Sequence, residues 1–455
     1  MGQEKLTAQE PTIVAVSTPF GSGGLAVIRM SGQDSFEILR KVWKGADPES
    51  FLTHTAHLGW ILDSSGEEID QVVATVYRSP NSYTGEDVIE ISCHGSPWIQ
   101  RSIVNRLIES GASGATAGEF TMRAFSNGRL DLAQAEGVAD MIASSSKAAA
   151  RLASSQLKGD FSRKLNILRQ KLIDLGALLE LELDFSEEDV EFADRVELIK
   201  ITGEILGIVT RLASSFKAGN AFKQGIPVAI AGVPNAGKST LLNALLGEDK
   251  AIVSDIPGTT RDVIEDSVEI SGILFRFIDT AGLRESEDKI ERIGVERAKK
   301  KIEDSSILLY LIDPTQDVAY QMGVMRKLGG EITGKRLLVA TKTDVSLYKT
   351  DDKCVAISAK NGSGIEELRN KLVEMATEEF NPELELIVTN ARHYEALRNA
   401  EKPLKRLIEG LENGLSGDLL AQDLREAEHH LGEITGDVTS TDVLHTIFSR
   451  YCIGK

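Results

Sequence analysis

A glycine-rich octapeptide lies between an apolar run and a helical run. It reads Gly232-Val-Pro-Asn-Ala-Gly-Lys-Ser239, after IPVAIA and before TLLNALLG, which is the strand, loop and helix context of a phosphate-binding P-loop. Glycines let backbone N–H groups turn towards phosphate oxygens, Lys238 can reach the β- and γ-phosphates, and the Ser239 hydroxyl can coordinate Mg²⁺. The octapeptide predicts a nucleoside triphosphate site.

Two further loops follow the P-loop in the order that is typical of P-loop GTPases. Gly258-Thr-Thr-Arg-Asp262 stands at the place of a first switch, where Thr260 is the natural second hydroxyl ligand of Mg²⁺. Asp279-Thr-Ala-Gly282 follows the strand-like run LFRFI. Its carboxylate can orient the metal through water, and its glycine N–H can contact the γ-phosphate. GTTRD alone has little specificity, but between a P-loop and DTAG it indicates a GTPase.

The base is predicted to be read by two loops that also follow strand-like runs. Asp344, in Thr341-Lys-Thr-Asp344, can accept hydrogen bonds from the guanine N1–H and 2-amino group, which adenine lacks. Ser358-Ala-Lys360 follows CVAI. Thr341 replaces the usual asparagine and cannot make all the bonds of a carboxamide. We expect guanine specificity to be retained and nucleotide affinity to be the quantity affected.

The attacking water must be positioned by a different residue from that of Ras-like enzymes, because Leu283 stands where those enzymes carry a glutamine. Acidic residues just downstream are the candidates for positioning the water: Glu285, Glu287, Asp288 and Glu291.

The nucleotide loops together give the predicted GTP contacts. They are Asn235, Ala236, Gly237, Lys238, Ser239, Thr240, Ser254, Asp255, Ile256, Pro257, Gly258, Thr259, Asp279, Thr280, Ala281, Gly282, Thr341, Lys342, Thr343, Asp344, Ser358, Ala359 and Lys360.

The elements that must position these loops indicate a multidomain fold. Residues 1–125 mix short β runs with helical stretches and predict an α+β N-terminal domain. Residues 126–216 have helical periodicity and begin a mainly helical domain. Strands and helices alternate over 217–379, which predicts an α/β P-loop GTPase domain inserted before a second helical part at 380–455.

Composition narrows the class of protein. The 455 residues are 42% hydrophobic and 26% charged, which is a globular composition, and the formal net charge of -18 argues against nonspecific coating of nucleic acid. Three cysteines are too few for a disulfide framework. The start lacks the apolar core of a signal peptide and no membrane span is evident, so we expect a cytoplasmic protein.

Several segments together resemble the MnmE family of tRNA-modification GTPases, also called TrmE. They are the P-loop with GTTRD and DTAGLR, PTIVAVSTPFGSGGLAVIRMSG, NSYTGEDVIEISCHG and the terminal CIGK. The resemblance spans the whole chain in order. It implies a cytoplasmic homodimer that acts with the FAD-dependent partner MnmG in a heterotetramer or larger assembly. The pair adds an aminomethyl or carboxymethylaminomethyl group to C5 of the wobble uridine of certain tRNAs.

The resemblance also implies a folate site in the dimerising N-terminal domain. The one-carbon donor is a tetrahydrofolate derivative, 5-formyl- or 5,10-methylene-tetrahydrofolate, and FAD belongs to the partner alone. The matching positions are Arg29, Glu90, Arg129 and Lys455. Arginine and lysine suit the carboxylates of a folate tail, and a carboxylate suits the amino-amide edge of a pterin. The alternative is that Arg29 and Arg129 are surface ion-pair residues and that Glu90 faces solvent.

Hydrolysis in this family is implied to depend on K⁺, held where two GTPase domains meet. The matching K⁺ ligands are Asn235, Ser254, Ile256 and Thr259, and those of Mg²⁺ are Ser239 and Thr260. The implied catalytic residues are Glu291, which would position water, Arg261 and Cys452. Cys452 has two other interpretations, a buried structural cysteine and a lipidation box, for which CIGK is a poor match.

Two other classes of function stay open on the sequence. One is a regulatory switch, in which GTP only toggles partner binding. The other is a folate-binding scaffold with a vestigial GTPase. The complete set of nucleotide loops argues against the scaffold, and the folate positions with Cys452 argue against a pure switch.

Overall fold

The structure is a computed structural model that describes residues 10–184, 195–247, 265–279, 300, 302–328, 335–346, 354–379, 386–449, 451 and 453–454. The described residues contain no helix both long and apolar enough to cross a membrane. They form two compact units. The first combines residues of 1–139 with residues of 432–455, and the second comprises residues of 140–431.

The first unit is built on a seven-stranded sheet with the order β3-β4-β5-β6-β2-β1-β7. The strands are β1 Ile13–Val16, β2 Leu25–Ser31, β3 Trp43–Lys44, β4 Thr55–Leu62, β5 Glu68–Tyr77, β6 Val88–His94 and β7 Ser113–Gly114. All the pairings are antiparallel except that of β1 with β7. Side chains alternate between the two faces, so Ile28 and Met30 are buried in the core while Arg29 points to the other face.

Helices pack against both faces of this sheet. They are α1 Ser35–Val42, α2 Pro97–Glu109, α3 Glu119–Ser126 and α4 Leu132–Ala143, with a 3-10 turn at Pro48–Ser50. The core includes Phe36 and Leu39 from α1 and Ile103 and Leu107 from α2. The helix formed by Thr441–Phe448, which we number α14 in chain order, also belongs to this unit, where the buried Phe448 packs with Leu132.

The second unit contains helices from both sides of its sheet in the sequence. They are α5 Lys147–Leu157, α6 Asp160–Asp184, α7 Arg195–Ser214 and α8 Phe216–Gln224 before the sheet, and α12 Ala391–Glu412 and α13 Gly417–Thr435 after it. Helix α7 packs along α12. Arg169 of α6 also forms a 3.3 Å ion pair with Glu428 of α13. The α/β segment is therefore an insertion in a helical domain, as the sequence predicted.

The inserted segment is built on a six-stranded sheet with the strand order β13-β12-β11-β8-β10-β9. Its strands are β8 Ile226–Gly232, β9 Glu265–Ile270, β10 Ile273–Asp279, β11 Ile307–Ile312, β12 Lys335–Ala340 and β13 Cys354–Ala356, and its helices are α9 Lys238–Leu246, α10 Val318–Leu328 and α11 Ile365–Glu379. Only the edge strand β9 runs antiparallel to its neighbour. Parallel strands place the loops at their carboxyl ends along one edge.

Candidate functional site

The P-loop connects the central strand β8 to helix α9. Gly237 at the N-cap of α9 has a left-handed backbone with φ of 91°, and Asn235 is also left-handed at φ 61°. Asparagine tolerates this region better than most residues do. The turns aim the first backbone N–H groups of α9 out of the loop, where the helix dipole favours an anion.

Lys238 is the first residue of α9, and its side chain folds back over the loop. Its Nζ donates hydrogen bonds to the carbonyl oxygens of Gly232 at 2.8 Å and Val233 at 3.0 Å. The ammonium group thus lies over the loop that would cradle the phosphates. Ser239 and Thr240 are exposed in the same first turn. These groups fit a nucleotide phosphate chain and one hydroxyl ligand for Mg²⁺.

Thr341 contacts the P-loop directly. Its Oγ1 donates to the Ala236 carbonyl at 2.9 Å and lies 3.2 Å from the Ile312 carbonyl, and both Thr341 and Ala236 are buried. A hydroxyl therefore provides one tether to the P-loop at the position where an asparagine is usual. Because the hydroxyl has a single hydrogen, it cannot supply the two donors of a carboxamide.

The two loops of the predicted base pocket are joined by a hydrogen bond. The Ser358 hydroxyl donates to Oδ1 of Asp344 at 2.8 Å, and the Thr343 N–H donates to the Ile357 carbonyl at 3.2 Å. The bond to Oδ1 restrains the carboxylate and leaves Oδ2 for a ligand. Ala359 and the exposed Lys360 continue the second loop. The arrangement suits a carboxylate that reads the N1–H and 2-amino edge of guanine.

Asp313 is a functional candidate that the sequence analysis missed. It follows β11, its side chain is fully buried, and its Oδ2 accepts a 2.6 Å hydrogen bond from Nζ of Lys342, which has a left-handed φ of 56°. Burial by itself would raise the pKa of Asp313, but hydrogen bonds from Lys342 and Thr315 outweigh it and hold the pKa below its usual value. The available signal was DPT directly after an apolar strand.

Part of the predicted site lies outside the described residues. Asp279 ends β10 beside Ile230 of β8, close to the P-loop in the sheet. Neither its side chain nor the following residues of the motif are described. The predicted residues outside the described part are Ser254, Asp255, Ile256, Pro257, Gly258, Thr259, Thr260, Arg261, Thr280, Ala281, Gly282, Glu291, Cys452 and Lys455.

Two of the predicted folate positions form an ion pair in the first unit. Arg29 of β2 and Glu90 of β6 are direct cross-strand neighbours, and both Nε and Nη2 of Arg29 donate to Oε1 of Glu90, at 2.9 and 2.7 Å. The guanidinium carbon also lies 5.2 Å from the ring centre of Tyr83 and 5.8 Å from that of Phe120. The ion pair is half-buried, and its guanidinium contacts two aromatic rings. It therefore differs from the exposed surface ion pair that the sequence left as the alternative.

Arg129 lies against the same loop that carries Tyr83. Its side chain packs beside Gly85, where a Cβ would come within 3.2 Å of Cγ of Arg129. The Arg129 side chain is exposed, so its guanidinium is accessible to a ligand. A neighbouring network that the sequence did not indicate stiffens the loop: the buried Arg123 contacts Glu86 at 3.3 Å and Glu119 at 3.0 Å.

The C-terminal tail is held in the first unit. The Ser17 hydroxyl donates to the Gly454 carbonyl at 3.0 Å, and Ile453 pairs with Ala117 as an isolated β-bridge. Gly454 is left-handed at φ 92°, and a Cβ there would lie 2.2 Å from the Val16 carbonyl. Glycine is therefore required at this position. The tail contacts the end of β1, and the next strand in the chain, β2, carries Arg29.

Comparison with known families places the chain as a whole. A family model described as the MnmE helical domain matches residues 132–452, which is more than half of the chain. The chain belongs to the MnmE family. A second model, described as the N-terminus of the GTP-binding protein TrmE, matches residues 12–129. The two MnmE family matches together run from the first described strand to the C-terminal tail.

Relatives match over their full length. The tRNA modification GTPase MnmE of Cytophaga hutchinsonii is 47% identical, with all of both chains covered. That of Parabacteroides distasonis is 49% identical, covering 98% of this chain and 100% of its own. Among solved structures, Aquifex aeolicus Era bound to GDP.AlF4- is 27% identical over 39% of this MnmE-family chain and 66% of its own, with a TM-score of 0.28. The G domain of the T. maritima FeoB iron transporter is 26% identical over 33% of this chain and 98% of its own, with a TM-score of 0.25.

Proposed function

We propose that this protein is a K⁺-activated GTP hydrolase that modifies tRNA together with the FAD-dependent protein MnmG. The reaction adds an aminomethyl or carboxymethylaminomethyl group to C5 of the wobble uridine and takes its one-carbon unit from a tetrahydrofolate derivative. The working form is a cytoplasmic homodimer joined to MnmG in a heterotetramer or larger assembly. Family membership supports the GTPase activity and the role in tRNA modification; K⁺, folate and MnmG are the further parts of the proposal.

One observation supports GTP hydrolysis above all others. The Thr341 hydroxyl is hydrogen-bonded to Ala236 of the P-loop, while Asp344 of the same TKTD loop is hydrogen-bonded to Ser358. Phosphate-binding and base-reading groups therefore lie in one connected frame, at the carboxyl edge of the sheet. Such a frame orients the base and the phosphates of a single nucleotide at the same time.

The residues of the chain have distinct tasks in hydrolysis. The N–H groups at the start of α9 and the Lys238 ammonium would neutralise charge on the phosphates, which is the main contribution to catalysis in phosphoryl transfer. Ser239 and Thr260 would hold Mg²⁺, which would neutralise charge on the phosphates. Glu291 would orient the attacking water in place of the glutamine that Leu283 replaces.

A monovalent cation is proposed to take the place of an arginine finger. Asn235 would contribute a side-chain oxygen, with Ser254, Ile256 and Thr259 completing the ligand set, and Arg261 would assist catalysis. K⁺ when bound neutralises charge that builds between the β- and γ-phosphates. The left-handed, exposed Asn235 is the one member of this ligand set in the described residues, and its position on the rim of the P-loop fits the role.

The N-terminal domain is proposed to hold the folate. Arg29 and Arg129 both contact the loop that carries Tyr83 and Gly85, and Glu90 is fixed by Arg29. A carboxylate held in one orientation can pair with the amino-amide edge of a pterin, and Arg129 is free to meet a tail carboxylate. Lys455 would add a cation one residue after the anchored Gly454. The folate when bound supplies the one-carbon unit.

Reconstitution tests the proposal. The protein, MnmG, tRNA, GTP and 5,10-methylene-tetrahydrofolate are incubated in KCl, and the nucleosides are then analysed by mass spectrometry. The expected result is a modified wobble uridine that requires every component. Modification that proceeds without GTP hydrolysis would favour the switch hypothesis, and negligible steady-state GTP turnover together with folate binding would favour the scaffold hypothesis. Either outcome would contradict the proposed function.

A further inference from the structure

The β9–β10 hairpin of the inserted sheet caps a helix of the surrounding helical domain. Its turn is formed by Ser271 and Gly272, both left-handed with φ of 52° and 86°. The Gly272 carbonyl accepts the Ala148 N–H at 2.9 Å, and Oε1 of Glu269 accepts the Lys147 N–H at 3.3 Å. Backbone N–H groups of the first turn of α5, which have no partner within their own helix, are thereby satisfied by the hairpin. The hairpin and α5 both belong to the second unit.

A cavity of 560 Å³ opens beside this junction. Its walls come from α5, the start of α6, α8, the hairpin turn, α11 and the segment 386–389, together with the first turn of α12. The volume lies within the range of about 300–1,000 Å³ that is usual for small-molecule sites. Of the nucleotide-site and folate-site residues that the structure describes, none lines this space.

Much of the cavity lining is apolar or aromatic. Phe161, Phe222, Ile273 and Val388 line it and are at least nine-tenths buried. His393 is also buried, and its ring stacks on that of Phe161 with centroids 5.3 Å apart. A lining that contains aromatic rings favours an aromatic ligand, because a contact between rings gains about 0.5–1.5 kcal/mol beyond the burial of their area.

The mouth of the cavity is cationic. Lys147 and Arg151 lie four residues apart on the same face of α5, and both side chains are exposed. Among the described residues that line the cavity none is acidic, and no side-chain ion pair of either cation is found in that part of the chain, although the Glu269 carboxylate accepts the Lys147 backbone N–H at 3.3 Å. This is notable in a protein with a formal net charge of -18. The side chain of Lys147 covers Gly272, which directs it over the edge of the cavity.

The electrostatics of helix α5 itself do not favour these two cations. Lys147 is the first residue of α5, where the positive end of the helix dipole disfavours a cation by a few tenths of a kcal/mol. Arg151, four residues later, adds a second positive charge on the same face, which is also unfavourable in an isolated helix. Two exposed positive charges beside a cavity with apolar and aromatic walls suit an anion with an apolar body.

We propose that this junction cavity, lined by Phe161 and Phe222 and flanked by Lys147 and Arg151, binds a small aromatic anion, a phosphate or carboxylate on a ring system. The ring lies between the apolar walls, and its charged group meets Arg151 and Lys147 at the mouth. The ligand contacts both the hairpin turn and α5. The site is independent of the proposed folate and K⁺ chemistry.

Calorimetric titration of the full-length protein with 1-naphthyl phosphate tests the site. The protein is first saturated with GDP and Mg²⁺, so that the probe cannot occupy the P-loop. We expect one saturable site, and at least about tenfold weaker binding of the neutral 1-naphthol, because a charge-assisted hydrogen bond contributes about 1.5–3 kcal/mol. Arg151→Glu should weaken binding of the phosphate by at least about tenfold as well.

Two further variants separate this site from general attraction. Lys158→Glu makes the same charge change at an exposed position at the other end of α5 and should leave affinity unchanged. Ser155→Trp should fill the cavity and remove binding, and Arg151→Glu, at an exposed position, keeps the test valid if the tryptophan variant does not fold. No saturable binding by the wild-type protein, equal affinity for 1-naphthol, or equal losses in Lys158→Glu and Arg151→Glu would each overturn the proposal.

Discussion

The hydroxyl of Thr341 donates a 2.9 Å hydrogen bond to the carbonyl of Ala236, across 105 positions of sequence. Both residues are buried, so the bond links the TKTD loop to the P-loop without competition from water. A threonine can thus serve where an asparagine is usual, with one donor where the amide has two. We expect nucleotide affinity to depend on this link, because it connects the P-loop to the loop that is predicted to read the base.

Removal of the hydroxyl should lower nucleotide affinity. In Thr341→Val the Ala236 carbonyl is left buried without this partner, at a cost of about 1–3 kcal/mol. We expect GDP and GTP to bind about 5- to 30-fold more weakly if about 1–2 kcal/mol of that cost appears in binding. Displacement of a fluorescent GDP analogue by GDP or GTP measures these affinities. Thr341→Ser, which keeps the hydroxyl, is the control, and equal affinities for the valine and serine variants would contradict the assignment.

Asp344→Asn should change the choice of base. The amide presents a donor where the carboxylate presented an acceptor, so xanthine nucleotides should be preferred and GTP binding weakened by about 1–3 kcal/mol. Competition between GTP and XTP for the protein measures the preference. Ser358→Ala is the matched control: it loosens the Asp344 carboxylate and should weaken both nucleotides without reversing the preference. An Asp344→Asn protein that still prefers GTP would show that another residue reads the base.

Asp313 should stabilise the fold in a pH-dependent manner. Its lowered pKa means that the ionised form is favoured in the folded state, so this contribution is complete above the ordinary pKa of 3.8 and is lost as the pH falls through the lower folded value. Asp313→Asn should lower the urea midpoint at pH 7, by about 1–3 kcal/mol in free energy of unfolding. The difference in free energy of unfolding between Asp313→Asn and the wild-type protein should shrink as the pH is lowered towards pH 3.

The exposed Asp304 supplies the control for that experiment. Asp304→Asn removes a carboxylate from the surface of the same domain, so its urea midpoint should match that of wild type at both pH values. A difference between Asp313→Asn and wild type that stays constant from pH 7 to pH 3 would mean that packing, not the charge, is responsible.

GTP turnover should depend on the monovalent cation. We expect at least about tenfold faster hydrolysis in KCl than in NaCl at equal ionic strength, because charge neutralisation at the phosphates is a large catalytic contribution and Na⁺ is too small for the same ligand set. Phosphate release assays in the two salts measure the ratio, and Asn235→Ala should reduce it towards one. Equal rates of the wild-type protein in the two salts would remove K⁺ from the proposal.

Cys452→Ser should abolish modification of the wobble uridine while folding and GTP hydrolysis stay close to wild type. Burial raises the pKa of the Cys93 thiol to about 11, which keeps it protonated at neutral pH, and Cys354 is also buried. Cys452 is thus the remaining thiol candidate. Nucleoside analysis of the reconstituted reaction checks the loss. Cys452→Ala should be equally inactive, and normal modification by either variant would support a packing role.

Several features of this protein were determined by the sequence alone because they depend on neighbouring residues. The strand of IPVAIA, the turn at Gly237 and the helix of TLLNALLG are local preferences, and the structure has them as β8, the loop and α9. The strand LAVIRM was also predictable, since alternation places Ile28 and Met30 on one face and Arg29 on the other. Family resemblance likewise followed from short motifs kept in order.

Only the tertiary structure decided which distant groups meet. The Arg29–Glu90 pair joins residues 61 positions apart, and the bond from Ser17 to Gly454 spans 437 positions. The Lys342–Asp313 pair and the aromatic cavity beside Arg151 arise in the same way, from elements distant in sequence. Local propensity determines strands and turns, whereas such contacts depend on strand order, register and helix packing, which are set by the burial of apolar surface over the whole chain.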